Sequence, residues 1–340
     1  MPAMNILFKH KNTALEKINL KDTQFCITTR NDIEELAASI KETGLINPPI
    51  LFKKESSFSI ICGFRRIKAC IYLGLSYIDA RIVDADSIMG CISLAITDNT
   101  FQRDLNLVEQ SRAISLLLTC AEEKNLEKPS GLEKPFGLEK PFGLEQIFGQ
   151  LGLPASLLII KKIEKISHLS EKIQNHIISG IISLPIALEL EKLTFNESDI
   201  FADIIINLKL GLNRQKELIT LVKEIALKND ITIKEVLQDE SIGEILIKNE
   251  DKDRKEKQKA LRLYLRKKRF PAIFKAENRL SEKIKSLKIG AGIKLVPPVN
   301  FEGNTFALNF FFKNFEELKI RKASMDKMLN NPATKEIFPI

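Results

Sequence analysis

Ser59-Ile-Ile-Cys-Gly-Phe-Arg-Arg-Ile-Lys-Ala69 is the stretch on which the reading of this chain turns. An apolar run feeds a glycine, and the glycine feeds the first turn of a helix that carries Arg65 and Arg66. Free N–H groups and the positive end of the helix dipole point at one place there. The forked guanidinium groups add a geometry suited to phosphate. Two arginines merely exposed at a helix start would have the same sequence, although cations are mildly unfavourable at that end.

Working outward, the neighbouring segments predict a small α/β domain. Residues Asn31 to Thr43 read as a helix with an apolar face at Ile33, Leu36, Ala37 and Ile40. Asn31 and Glu34 have the spacing of a capping box, and Gly44 stops the helix. Two strand-like runs come next, Pro49–Lys53 and Phe58–Cys62, joined by the polar turn KKESS. A helix is expected from Arg65 to Leu73, and Ile78–Val83 reads as another strand. From Ser87 to about residue 250 the period is helical, with a second cap-and-box pair at Asn106 and Glu109. Four hexapeptides (NLEKPS, GLEKPF, GLEKPF, GLEQIF) interrupt it between Asn125 and Phe148. Their glycine and proline break any continuous helix, so they read as an expanded linker.

The 340 residues are too many for one core, and 44% hydrophobic with 28% charged residues indicates a globular chain. No apolar run of about 18 residues is present, and the N-terminus lacks the signature of a signal peptide. A cytoplasmic protein without a membrane partner is expected. The five cysteines form no CxxC pair, and the three histidines lack metal-ligand spacing, which excludes a zinc site. The net charge of +8 is concentrated between Lys252 and Arg269, where ten Lys or Arg meet two acids. Such a run is either a solvated helix face or linker, or a tether for a polyanion.

The segment CGFRRIKA resembles part of the N-terminal domain of ParB proteins. TGLINPPI (Thr43–Ile50) lies before it and TDNTFQRDLN (Thr97–Asn106) after it. That family carries a glycine–hydrophobic–x–glutamine–proline segment, a G-E-R-R-x-R-A segment and an E-N-x-x-R segment, which together hold CTP and a magnesium ion. The resemblance implies that Gly44, Pro48, Gly63, Arg65, Arg66, Asn99 and Arg103 bind the nucleotide and that Asp98 faces Mg2+. Asn47 stands for the glutamine, Phe64 for the second segment's glutamate and Asp98 for the third's. Loss of a carboxylate at Phe64 bears on hydrolysis more than on binding, so at most a slow CTP hydrolase is expected. The related sulfiredoxin family needs a reactive cysteine beside the glycine, where this chain has Phe64.

Leu144–Leu169 has the plan of a helix-turn-helix: a short helix, Gly152 with Leu153–Pro154, then a second helix. Any αα-hairpin could look alike. The stretch Leu169–Leu190 resembles the segment C-terminal to the reader helix in ParB proteins. Ser156, Lys161, Lys162 and Lys165 are then the polar candidates for DNA, better suited to phosphate than to bases. In the basic run, Arg262, Arg266, Lys267 and Lys268 are further DNA candidates.

The expected architecture is therefore α+β and multidomain. A small α/β nucleotide-binding domain (1–104) precedes an all-helical middle domain with the helix-turn-helix (105–250, insert 125–148). A basic linker (251–270) leads to a small α/β C-terminal unit (271–340). There Thr305–Phe312 alternates Phe306, Leu308, Phe310 and Phe312 on one face, and the resemblance implies dimerisation. It further implies a nucleoid-associated homodimer on double-stranded DNA, a CTP-gated clamp that segregates a chromosome or plasmid with a P-loop partition ATPase. A transcriptional regulator or a nuclease on the same scaffold are the alternatives.

Overall fold

The computed structural model describes residues 8–54, 56–83, 88–123, 144–247, 254–286, 292–298 and 305–335. The chain forms two compact units, 1–212 and 213–340. The boundary expected near 104 thus lies inside a compact body, and the one near 250 inside the other.

The first unit begins with β1 (Phe8–Ala14), followed by α1 (Glu34–Thr43), β2 (Ile50–Lys54), β3 (Ser57–Cys62), α2 (Phe64–Tyr72), β4 (Tyr77–Val83) and α3 (Ile88–Thr100). The strands form one sheet in the order β1-β4-β2-β3. Neighbours are antiparallel except β2 and β4, which pair in parallel from Ile50 opposite Arg81. Leu51, Ile60, Ile78, Ala80 and Ile82 bury one face of this sheet against Ala37 and Ile40 of α1 and Ile67 and Cys70 of α2. Alternation along β4 makes this possible, since successive side chains leave opposite faces. β1 was not expected from the sequence. Its first five residues are exposed, so this edge strand carries no apolar alternation to betray it.

Local caps decide where helices begin. The box expected at Asn31 does not form: α1 is preceded by Ile33, whose N–H donates to Glu34 Oε2 at 3.1 Å, while Asn31 Oδ1 accepts from Lys68 Nζ at 3.4 Å. The box at Asn106 does form. Its Oδ1 accepts from the N–H groups of Val108 and Glu109 at 3.0 Å each, and Glu109 Oε2 accepts from the Asn106 N–H at 3.2 Å.

From there the chain is helical: α4 (Leu107–Glu123), α5 (Leu144–Gln150), α6 (Leu157–Glu164), α7 (Glu171–Ile178), α8 (Leu184–Glu191) and α9 (Phe195–Asn207). Residues 124–143, with most of the hexapeptide insert, lie outside the described residues. Its last unit is no linker: Leu144–Phe148 opens α5, and Phe148 is fully buried. Gly152, at φ +74°, turns the chain between α5 and α6. α6 packs on α4, where Ser111 Oγ donates to the Glu164 carbonyl at 2.9 Å.

The second unit holds α10 (Leu212–Asn229), α11 (Ile233–Leu237), α12 (Glu240–Ile247), α13 (Arg254–Arg269) and α14 (Pro271–Ser286). β5 (Ile293–Val296), β6 (Ala307–Phe310) and α15 (Phe315–Leu329) complete it. The stretch expected as a basic linker is therefore a helix from Arg254 to Arg269, anchored by buried Leu261 and Leu265, one turn apart. β5 and β6 form an antiparallel pair. Leu295 and Met328 are its buried centre, with Leu280, Ile284, Phe306 and Leu308 packed around them. β6 stops at Phe310, so Phe311 and Phe312 lie beyond the pairing and are exposed. Among the described residues, no helix is long and apolar enough to cross a membrane.

Candidate functional site

Gly63 ends β3 at φ +91° and supplies the turn that starts α2. A Cβ at this position would stand 2.9 Å from Pro49 Cβ and 3.1 Å from Pro49 Cα, so the site is closed to any larger residue. Arg66, on the first turn of α2, then reaches across two other segments. Its Nη1 donates to the carbonyls of Asn47 (2.8 Å) and Pro48 (3.3 Å), and its Nη2 donates to Asp98 Oδ2 at 3.1 Å. Gly44, at φ +76°, ends α1 and launches the Asn47–Pro48 loop. Three segments separated by some twenty to thirty residues are thereby tied by one guanidinium.

Arg65 lies beside it but turns toward Asp32, donating from Nε and Nη2 to the carbonyl (2.9 and 2.7 Å) and from Nη2 to Oδ2 (2.6 Å). The first N–H groups of α2 have no intrahelical acceptor. Together with two guanidinium groups, each paired with an aspartate, they make a donor-rich cradle that could hold an anion such as a phosphate chain. Asp98 is half-buried and also accepts from Gln102 Nε2 at 3.1 Å. Among the described residues, no three His, Cys, Asp or Glu side chains come together as a metal cage. Asp98 alone suits a magnesium ion that takes its other oxygens from phosphate and water. Cys62 is buried with Sγ on the Leu94 carbonyl, and burial pushes its thiol far above the ordinary range. It is no nucleophile.

Residues 11–100 match the ParB N-terminal domain. This stretch of the chain is therefore similar to a ParB N-terminal domain. The probable chromosome-partitioning protein ParB of Campylobacter jejuni is 41% identical over 86 residues, covering 25% of this chain and 31% of that protein. The probable plasmid-partitioning protein ParB of Thermus thermophilus is 29% identical over 100 residues, covering 29% and 33%. The match thus spans about a third of the length of these relatives. Among solved structures, the C-terminally truncated chromosome-partitioning protein ParB from Caulobacter crescentus complexed with CTP-gamma-S is 19% identical. It covers 58% of this chain and 99% of that one, with a TM-score of 0.26.

Of the residues matched to the ParB motifs, Arg66 ties the Pro48 carbonyl and Asp98 beside Gly63, and Arg65 is its neighbour, whereas Gly44 only starts the Asn47–Pro48 loop. Asn99 instead donates to the Ala95 carbonyl of its own helix at 2.8 Å. Arg103 is elsewhere. It donates from Nη1 and Nη2 to the carboxylate of fully buried Glu109, at 2.6 and 2.7 Å. The reason is spacing: E-N-x-x-R sets its acid and arginine four apart, on one helix face, whereas Asp98 and Arg103 are five apart. The residue four after Asp98 is Gln102, and it is Gln102 that bonds Asp98. Phe64 is 9% exposed and packs into the sheet core, so it faces away from the cradle.

The DNA candidates divide in two. On α6, Lys161 and Lys162 are exposed, and so is Ser156, which precedes the helix without its side chain capping it. Lys165, half-buried, holds Glu191 at 2.9 Å. The same outward stripe carries Leu158, three and four residues before the lysines and 74% exposed. Sequence patterning hides it because apolar residues crowd this helix; its position relative to Lys161 and Lys162 was the available signal. On α13, Arg262 bonds Glu217 (2.8 Å) and Lys268 bonds Asp239 (2.5 Å). Arg266 lies 3.9 Å from Glu277, and Lys267 sits 5.5 Å above the Phe274 ring. The basic run thus faces acids of its own unit.

Proposed function

We propose that the chain is a DNA partition protein that binds CTP with magnesium in its N-terminal cradle and segregates a chromosome or plasmid. The observation that carries this is Arg66, which joins the Asn47–Pro48 loop, the start of α2 and Asp98 through one guanidinium. Gly63, the N-terminus of α2, Arg65 and Arg66 hold the triphosphate, and Asp98 offers one oxygen to magnesium. CTP bound with magnesium supplies the charge that these groups close upon. Phe64 places no carboxylate beside the cradle, so nothing at that position orients a water molecule and turnover is slow.

The α5–α6 pair is read as the DNA-reading helix-turn-helix, with the Lys161–Lys162 face on phosphate. The β5–β6 unit is read as the dimerisation surface, since a two-stranded sheet is too small to bury its own faces. A clamp made of two such chains would close when nucleotide bridges the N-terminal domains, and a P-loop ATPase is the expected partner. Calorimetric titration with CTP, ATP, GTP and UTP in magnesium tests the nucleotide reading. CTP should bind selectively, and Arg66→Ala should weaken it about 10-fold or more, as for loss of a charge-assisted contact. Absence of binding to all four nucleotides overturns it. A chain ending near Phe270 should sediment as a monomer.

A further inference from the structure

The outward stripe of α6 has an unusual make-up for a helix read as meeting DNA. Leu158, Lys161 and Lys162 occupy positions i, i+3 and i+4, opposite buried Ile160 and Ile163, which fasten the helix to the body of the unit. Leu158 is 74% exposed and its neighbour Ile159 46%. Neither Arg, Asn, Gln, Asp nor Glu stands on the exposed surface from Ser156 to Lys162. These are the side chains that make bidentate bonds to base edges. The lysines, nearer the C-terminal end of the helix, suit phosphates, and a phosphate contact carries no sequence information. The N-terminal half of the helix, the part that enters the groove in this architecture, is left aliphatic.

The major-groove edge of DNA presents one apolar group, the 5-methyl of thymine. We propose that Leu158, flanked by Ile159, reads thymine methyl groups and so is a specificity-determining residue of the DNA site. This rests on the reading of α5–α6 as the DNA-binding pair. The charge of the same surface supports that occupant over an apolar protein partner, because the exposed lysines one turn on from Leu158 match a polyanion. A contact of this kind discriminates thymine from cytosine and from uracil by packing alone. It requires no hydrogen bond, so the N-terminal half of the helix can read bases without Arg, Asn or Gln. It also predicts that the half-site has thymine at one or two fixed positions, with little preference elsewhere along α6.

The test uses the full chain and a duplex selected by it from a random pool. Each thymine of that duplex is replaced in turn by deoxyuridine, which removes the methyl and leaves every hydrogen-bonding group in place. At one or two positions per half-site the replacement should weaken binding about fourfold, the worth of one buried methyl-sized group. Leu158→Ala should bind the unmodified duplex more weakly by a similar factor and lose its sensitivity at those same positions. Leu158→Ile should retain it. Because Leu158 is exposed, circular dichroism should be unchanged in both variants. Insensitivity of the unaltered protein to every replacement, or equal sensitivity in Leu158→Ala, overturns the proposal while leaving DNA reading intact. If selection enriches no sequence at all, the DNA-reading assignment of α5–α6 fails, and this proposal fails with it.

Discussion

Arg103 and Glu109 form a two-pronged ion pair, 2.6 and 2.7 Å, in which the carboxylate is fully buried. Glu109 also accepts from the N–H and hydroxyl of Thr29 at 2.9 and 3.2 Å. Arg112, one turn further along α4, donates to the Thr28 carbonyl and to Gln174 Oε1 of α7. The loop ahead of α1, the start of α4 and α7 are thus joined by one polar network. It makes the sheet domain and the helices after it a single unit, and it holds Arg103 away from Arg66 and Asp98.

Glu109 gives this unit a defined acid limit. Burial raises its pKa, but the hydrogen bonds from Arg103, Thr29 and Asn106 outweigh burial and hold it down at about 2, against an ordinary 4.5. A depressed carboxylate stabilises the fold fully above the unfolded value, and that contribution is lost as pH falls from about 4.5 to about 2. The difference amounts to about 3 kcal/mol. Glu109→Gln should cost roughly the same at neutral pH, because Arg103 loses its counter-charge. Urea denaturation as a function of pH checks both: the variant should show a flatter acid limb than the native protein.

Gly44→Ala and Gly63→Ala should both be damaging, for different reasons. Gly44 has φ +76° with ψ −179°, a backbone region essentially reserved for glycine, so alanine there should cost about 1–3 kcal/mol although its Cβ meets nothing within 4 Å. Gly63 has a left-handed conformation that alanine enters at about 1–2 kcal/mol, but its Cβ would meet Pro49 at 2.9 Å and should displace the Pro48–Pro49 loop from Arg66. Thermal melts with parallel CTP titrations measure both. Unchanged CTP affinity in Gly63→Ala would show that the Pro49 contact relaxes freely.

Phe64→Glu restores the carboxylate of the ParB motif but places it in the sheet core. Loss of the buried ring and burial of an ionisable group should together cost about 4 kcal/mol. The expected result is a destabilised protein with no gain in CTP turnover. A variant as stable as the parent that releases phosphate faster would show that the side chain can swing out to the cradle.

The two sets of cations should differ in their salt response. Lys162→Gln should reduce the slope of DNA affinity against salt by up to about 0.9, one phosphate contact. Arg262→Gln should change it much less, because Glu217 already neutralises this arginine. Its stability cost should stay within about 1 kcal/mol, as for other partly exposed pairs. Filter binding across a salt series separates the two outcomes, and a large slope change at Arg262 would mean that DNA displaces Glu217.

Periodicity and punctuation were enough to place β2, β3, α2 and β4, because a half-buried strand and an amphipathic helix each write their period locally. Gly63 was legible as the glycine between a strand and a helix, and the Asn106–Glu109 box because it is a contact between residues one turn apart. β1 was not, since an edge strand with polar residues on both faces is defined by its pairing with β4 alone. Nor could local spacing say that Phe64 turns inward. Arg103 finds Glu109 six residues on and Thr28 seventy-five residues back, and Arg262 meets a glutamate forty-five residues away. A long charged side chain reaches several ångströms in any direction, so its partner is set by what the tertiary fold brings within reach. The residue type sets only the chemistry available. For this chain, the order of most elements and the glycine–arginine turn after β3 lay in the sequence, while the partner of each arginine was set by the packed structure.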